Sequence, residues 1–458
     1  MTVICWFRRV LRLDDHPALV AASTAGPVIP LVILDPQEAR DHPASAQRQA
    51  MSLPRLQASL HRHHSRLIVR RGDPSKVIAD ILAETSATQL HSTEGFPFAS
   101  DRGLRTVVER HGARLILHPA ADLVARESIT TGQGTTYKVF TPFWKALRAK
   151  EIAPPLPAPR LSAPETWPES DGVEWPEART AMARGWDPVA DHIEAGEDAA
   201  HERLDRFLDE SVAHYHRLRD LPHEAQGTSG LSDSLAIGEI SARRIWRKGL
   251  DARLREIPGT DDFLREIAWR EFARDLFHAM PEMAESCWRP EWNDFPWQED
   301  GPQACAWRQG RTGIAIVDAG MRELFTTGRM HNRVRMIAAS YLTKHLLTDW
   351  RVGLTWFKQT LTDWDPASNA MNWQWVAGCG PDASPYFRIF NPVTQAEKFD
   401  REARYRDHWL KSDSMAAQAF RDAAPRSWKI DLARAASPEH SLASGRSRAM
   451  TAYQRFKN

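Results

Sequence analysis

A chain of 458 residues is long for a single domain, and a formal net charge of +1 excludes a global electrostatic pull toward nucleic acid. Hydrophobic residues make up 42% of the chain, enough for substantial cores, and the basic residues are mostly arginine, which favours planar contacts to phosphate and carboxylate. The four cysteines, Cys5, Cys287, Cys305 and Cys379, form no C-x-x-C pair, so a zinc or iron–sulfur signature is absent and a reducing compartment is expected.

The opening Met-Thr-Val-Ile-Cys-Trp-Phe is too short for a signal peptide, and no apolar run approaches about 20 residues. A soluble, cytoplasmic protein with no membrane contact is the expectation. Residues 1–120 then alternate strand and helix signals. Strands are predicted at Val3–Phe7, Val28–Leu34, Leu67–Val69, Gln89–Ser92 and Arg114–Leu117, with helices around 46–62, 74–84 and 99–111. That rhythm predicts a Rossmann-like, doubly wound parallel sheet, although no G-x-G-x-x-G follows the first strand.

Residues 152–195 are rich in proline, tryptophan, alanine and glutamate and lack periodicity. They read as a linker that wraps over the surface, because Trp167, Trp175 and Trp186 need cover. From about 197 the pattern is helical, with amphipathic segments at 198–218, 239–252, 260–278, 311–326, 330–348 and 351–361. The expected architecture is therefore α/β followed by all-α, with domains at 1–130 and 197–458 joined by 131–196. The last 45 residues are rich in alanine, serine and arginine and read as helical or frayed.

The densest chemistry lies in 329–391. Arg329-Met330-His331-Asn332-Arg333-Val334-Arg335-Met336 opens a helix on which Asn332 and Met336 share a face, bordered by Arg335. Asp363-Trp364-Asp365 through Trp373-Gln374-Trp375 then places two carboxylates and three indoles within thirteen residues. Acids and indoles beside an arginine-bearing helix suggest a pocket for a large, flat ligand with polar edges. Upstream, Glu266, Trp269 and Arg270 line one helical face. Gly227-Thr228-Ser229-Gly230-Leu231-Ser232 precedes a helical stretch, where small residues and hydroxyls let backbone N–H groups approach a phosphate.

Together with Trp6-Phe7-Arg8-Arg9-Val10-Leu11-Arg12-Leu13 and Ser384-Pro385-Tyr386-Phe387-Arg388, these motifs span nearly the whole chain in order. The chain resembles the DNA photolyase/cryptochrome family, and within it the cyclobutane pyrimidine dimer photolyases. The resemblance implies a helical FAD-binding domain and a light-driven carbon–carbon lyase, active with FADH⁻, that splits pyrimidine dimers in UV-damaged DNA as a monomer. It assigns FAD to Tyr215, Thr228, Ser229, Gly230, Leu231, Ser232, Arg335, Asp363, Trp364, Asp365 and Asn369, with Asn369 facing flavin N5. Plant cryptochromes carry aspartate at that last position.

By the same resemblance Glu266 hydrogen-bonds the damaged bases, while Trp269 and Trp375 wall the extruded lesion. Arg219, Arg270, Arg333, Arg388 and Gln395 contact DNA nearby. Trp297, Trp350 and Trp373 match a row of tryptophans that carries electrons from the surface to the flavin. Photolyases of the (6-4) type place two histidines at the lesion, where this chain has Asn332 and Met336. A second, antenna chromophore (folate, deazaflavin or flavin) is implied beside the sheet, its identity open because His91-Ser92-Thr93-Glu94-Gly95-Phe96-Pro97 departs from known antenna patterns. Tyr137-Lys138-Val139-Phe140-Thr141-Pro142-Phe143 resembles the segment that closes the first domain. The alternative is a cryptochrome, a blue-light photoreceptor without repair.

Overall fold

The computed structural model of the protein describes every residue except 96–100, 120–121, 126–127, 181, 183, 384–386, 434–440 and 458, and the side chain of residue 102. Phe96-Pro97 and Ser384-Pro385-Tyr386 lie outside the described residues. The amino-terminal part is built on five parallel strands, β1 (Val3–Trp6), β2 (Val28–Leu34), β3 (Ile68–Arg71), β4 (Gln89–Thr93) and β5 (Arg114–His118). Their order is β3-β2-β1-β4-β5, so the winding direction reverses between β1 and β4. Every residue of β1 and β2 is buried, as expected for parallel strands covered on both faces. The two faces form separate cores, one containing Val3, Val32 and Val69 and the other Ile4, Ile33 and Ile68.

The expected strands are all present, their ends displaced by at most two residues. Two helices in this region escaped prediction. Pro17–Ala25 has a weak amphipathic pattern, and Pro36–Asp41 is only six residues long. The latter is set by Asp35, whose carboxylate accepts from the Gln37 N–H, with Pro36 at the first helical position. Segment 152–195 does lie against the sheet region. Trp175 is buried with Val32 and Leu34, Trp186 packs on the same cluster, and Trp167 packs on the opposite one.

Beyond residue 197 the chain is helical around a single large core. Thr260–Ala279 and Ala242–Leu254 form close to the expected bounds. The 330–348 segment does not run as one helix. It is α-helical over Asn332–Ser340, continues as a π-helical turn over Tyr341–His345, and turns at Leu347, which has a φ of 57°. The turn tucks Lys344 into the core, where Nζ donates to the Ala377 carbonyl and sits 3.5 Å from the Phe387 ring centroid. Pro366–Ala377 was not resolved from sequence as a helix, yet its start is marked: Asp365 caps the Ser368 N–H, and Pro366 stands first. Residues 442–457 are helical. Among the described residues no helix is long and apolar enough to cross a membrane.

A buried carboxylate joins the two halves. Glu239 forms an ion pair with Arg48 of the Pro43–Arg62 helix, both side chains fully buried. It also accepts from the Ser52 hydroxyl (2.7 Å), the Ser234 hydroxyl (2.9 Å) and the Gly196 N–H. Next to it Gly238 has a φ of 75°, and a Cβ there would lie 2.4 Å from the Arg9 carbonyl oxygen. Only glycine lets the helical region approach the strand β1 loop this closely. Glu239→Gln leaves the Arg48 guanidinium buried without its counter-charge. We expect a loss of about 3–5 kcal/mol in urea denaturation. Asp198→Asn, which breaks the exposed Arg62–Asp198 pair, is expected to change stability by no more than about 1 kcal/mol in the same assay.

Candidate active site

A cavity of about 530 Å³ opens between the Thr260–Ala279, Asn332–Ser340 and Pro366–Ala377 helices. The first of these packs on the third, and the second packs on the third as well. The Thr260–Ala279 helix contributes Glu266, Trp269 and Arg270 from one face, the face expected from their spacing. Asn332, Arg333, Arg335 and Met336 come from the second helix, and Asn369, Trp373 and Trp375 from the third. Tyr215, Arg219, Ser229, Leu231, Ser232, Asp363, Trp364 and Asp365 complete the expected members that line it. Leu235, Ala236 and Ser368 also line it, and sequence reasoning did not single them out.

Arg335 is fixed on both sides. Its Nε donates to the Met330 carbonyl (2.7 Å) and its Nη2 to Asp363 Oδ2 (2.8 Å). The Asp363 side chain is nearly inaccessible, and its Oδ1 has no hydrogen-bond partner among the described residues. A buried carboxylate oxygen without a donor is costly, so this atom marks where a ligand N–H belongs. Asn369 is buried and donates Nδ2 to the Leu354 carbonyl (3.2 Å), which leaves Oδ1 as its free end. That end is a hydrogen-bond acceptor.

Asp365 is both a helix cap and a charge. Oδ1 accepts from Ser368 N–H (2.8 Å), and Oδ2 lies 3.5 Å from Arg274 Nη1. Burial works to raise its pKa, and the Arg274 and Arg270 guanidiniums outweigh that and hold it below the usual carboxylate range. Trp364 is stacked on His42 at 4.0 Å between centroids, with Arg9 over the ring. Thus the flat floor is clamped from the sheet side. A smaller cavity of about 80 Å³, lined by Arg8, Arg9, Thr93, Glu94 and Gly95 at the ends of β1 and β4, shares Trp364 and Asp365 with it. The reversal point of the sheet, where such folds bind ligands, therefore faces this site.

Several expected members sit elsewhere or are already engaged. Thr228 and Gly230 belong to the loop beside Ser229 but do not line the cavity, and Gly230 instead offers its carbonyl to Arg203 (3.1 Å). Arg388 and Gln395 lie outside it too, Arg388 being exposed with its guanidinium over Phe390. Trp269 is stacked flat on Phe140, at 3.6 Å and 7°, so one of its faces is covered by the protein. Arg219 and Arg333 are not free cations: they pair with Glu266 (2.6 Å) and Asp220 (2.8 Å). Arg270 pairs with Glu271 at 2.8 Å. Sequence spacing carries no information on such partners, since Glu266 and Arg219 are 47 residues apart.

The three tryptophans differ in depth. Trp373 lines it, Trp350 is fully buried at the start of the next helix, and Trp297 is partly exposed. Gly353 was missed and explains the first step. A Cβ there would stand 2.0 Å from the Trp373 ring, so its absence lets the indole press against the Trp350–Thr360 helix. The outer step is a backbone bridge: Gln298 N–H donates to the Leu347 carbonyl (2.7 Å) and Asp349 N–H to the Gln298 carbonyl (2.9 Å), which holds Trp297 beside the residues that precede Trp350. The Nε1–H groups of Trp297 and Trp373 are buried without a hydrogen-bond partner among the described residues, whereas the Trp350 indole lies against the Cys287 thiol.

Residues 263–444 match the family model for the FAD binding domain of DNA photolyase, and residues 3–160 match that for DNA photolyase. The deoxyribodipyrimidine photo-lyase of Agrobacterium fabrum is 41% identical over 420 residues, which cover 88% of this chain and 85% of that protein. A bacterial class III photolyase from Agrobacterium tumefaciens has a similar structure, with a TM-score of 0.88 at 36% identity, covering 100% of this chain and 98% of the other. An archaeal photolyase from Sulfolobus tokodaii with two FAD molecules gives 0.81 at 28% identity, covering 99% and 100%.

Asp363→Ala removes both the anchor of Arg335 and the unpartnered acceptor. The purified variant is expected to carry far less FAD than the parent, read from its visible absorption at equal protein concentration. Full FAD occupancy would show that Asp363 does not hold the ligand.

Proposed function

The chain belongs to the DNA photolyase family, and from that premise we propose that it is a deoxyribodipyrimidine photo-lyase whose 530 Å³ cavity holds FAD beneath the damaged bases. The observation that supports this most is the stacking of roles along one cavity. Asp363 Oδ1, without a partner among the described residues, and the Asn369 amide oxygen are offered by buried side chains, while Glu266, Trp269 and Trp375 are half-buried on the same cavity. The residues fit FAD: a paired cation, an orphan carboxylate oxygen and an amide oxygen can meet the polar edge of a flat ring. Reduced FAD, when bound, supplies blue-light absorption and the electron that splits the cyclobutane ring.

The protein's own residues bind and orient. Asn369, with its amide N–H tied to Leu354, offers an acceptor that favours a protonated ring nitrogen without adding a charge. The exposed part of Trp269 and the Trp375 indole, whose Nε1 donates to the Asp382 carbonyl at 3.1 Å, supply apolar walls for an extruded lesion. Stacking on such walls recovers about 1–3 kcal/mol per base. A dimer is already poorly stacked and paired in duplex DNA, so extruding it costs less than extruding a normal base. Glu266 is placed to accept N–H groups from those bases. Among the described residues no histidine lines the cavity, and Asn332 and Met336 occupy the rim, which favours cyclobutane dimers over (6-4) photoproducts.

Trp297, Trp350 and Trp373 provide the route by which an electron reaches the cavity from solvent. The cryptochrome reading is less supported, because the lesion-facing residues Glu266, Trp269, Met336 and Trp375 all line the cavity with Asn369. A single chain supplies the complete cavity, which supports action as a monomer, and we place that action in the cytoplasm. A second chromophore would sit on the sheet side, as folate, deazaflavin or flavin.

Blue light on the reduced protein is expected to return dimer-containing DNA to monomeric pyrimidines; no dimer loss under illumination would reject the enzyme. Trp373→Phe is expected to slow flavin photoreduction by at least tenfold, about 1.4 kcal/mol in barrier, while pre-reduced variant still repairs. Equal loss of both activities would remove the electron route from the account.

A further inference from the structure

Two ion pairs lie on the rim of the cavity, and they share one dipeptide. Arg219 and Asp220 follow the short Tyr215–Leu218 helix. Arg219 Nη1 donates to Glu266 Oε1 at 2.6 Å, and Asp220 Oδ2 takes Arg333 Nη2 at 2.8 Å. The side chains of the first pair are 24% and 33% exposed, so solvent reaches both. Arg219 also lies over the Tyr215 ring at 5.1 Å, and Arg333 over the Phe399 ring at 4.4 Å, so each guanidinium is held by an aromatic face as well as by its carboxylate. The dipeptide thus links the Thr260–Ala279 helix to the Asn332–Ser340 helix across the opening.

The function proposed above needs Glu266 to accept from lesion bases and arginines to seat phosphates, and this inference rests on that reading. Glu266 and Arg219 are each other's partners in the folded protein. If a phosphate takes Arg219, Glu266 is left as a half-buried carboxylate with only water as a donor in place of a charged partner, which is unfavourable. Undamaged duplex DNA offers Glu266 no replacement, because its bases stay stacked and paired. An extruded dimer does, through its ring N–H groups.

We propose that Glu266 determines specificity through Arg219: it withholds the arginine from the phosphates of undamaged DNA and releases it only when a flipped lesion supplies donors in its place. Phosphate grip and lesion capture are then coupled in one exchange of partners. The Asp220–Arg333 pair is the built-in control. Asp220 faces no base in this scheme, so freeing Arg333 strengthens binding to damaged and undamaged DNA alike.

The test is a double-mutant cycle of Glu266→Gln and Arg219→Gln. Dark binding is measured to an undamaged duplex and to the same duplex with one cyclobutane dimer, over a range of KCl concentrations. Glu266→Gln is expected to bind undamaged DNA about fivefold tighter, the scale of one released ion pair, with a log Kd against log salt slope steeper by about 0.9, one additional phosphate contact. In the Arg219→Gln background the same substitution is expected to change undamaged binding by less than about twofold. Asp220→Asn is expected to tighten both duplexes equally. An equal gain from Glu266→Gln with and without Arg219 would reduce the effect to general loss of negative charge and overturn the coupling, as would no gain at all. If the parent protein neither prefers the dimer duplex in the dark nor repairs it in light, the repair reading itself fails and takes the coupling with it. Preference and repair retained without the cycle's coupling would overturn this inference alone.

Discussion

The buried Glu239–Arg48 ion pair is the constraint on which the geometry of the site depends. Neither charge is tolerable in a core by itself, so the two halves of the chain can close only in the register that joins them. Glu239 also accepts from Ser234, on the six-residue Ser232–Ile237 helix whose Ser232, Leu235 and Ala236 line the cavity. The neighbouring Asp233 is fully buried and ion-paired to Arg329, and it accepts from the Thr362 hydroxyl at 3.0 Å. Burial works to raise the Asp233 pKa, but the Arg329 and Arg48 guanidiniums hold it below its ordinary value. One polar network therefore runs from the sheet domain to the residue before Asp363. It sets the floor of the cavity relative to its walls.

A cavity of this size within a helical core has to be kept open against collapse. The structure does so with groups that cannot pack on one another at no cost. Arg335 and Asp363 are paired, and Asp365 is pinned both as a helix cap and by Arg274. Trp364 is held by stacking on His42 and by the Arg9 guanidinium over its ring. Rigid walls of this kind hold Asn369 and Trp373 in a fixed relation, because the same Pro366–Ala377 helix carries both at a four-residue spacing. The placement of Trp373 depends on space as much as on chemistry. Gly353 removes the one atom that would push Trp373 off the helix of Trp350.

The outer part of the site is governed by a different balance. Its charges are half-exposed and paired with one another, so each is available to a ligand that offers a better partner. The Arg48–Glu239 pair, with both side chains fully buried, is not. The carboxylates at these positions compete with any incoming anion for the same arginines.

Much of this was legible in the order of residues. The parallel sheet follows from alternating apolar runs with turn residues between them, and Val28–Leu34 was located to the residue. Glu266, Trp269 and Arg270 share a face because helical spacing demands it, and the Asp365-Pro366 cap was readable where Pro366–Ala377 begins, although the helix itself went unrecognised. What sequence could not convey is partnership across distance. That Trp269 would spend a face on Phe140, that Arg219 would meet Glu266, and that Gly353 would make room for Trp373 depend on which helices touch and at what separation. Those contacts arise from the packing of whole elements, with no signature in local periodicity, so only the tertiary structure decided them.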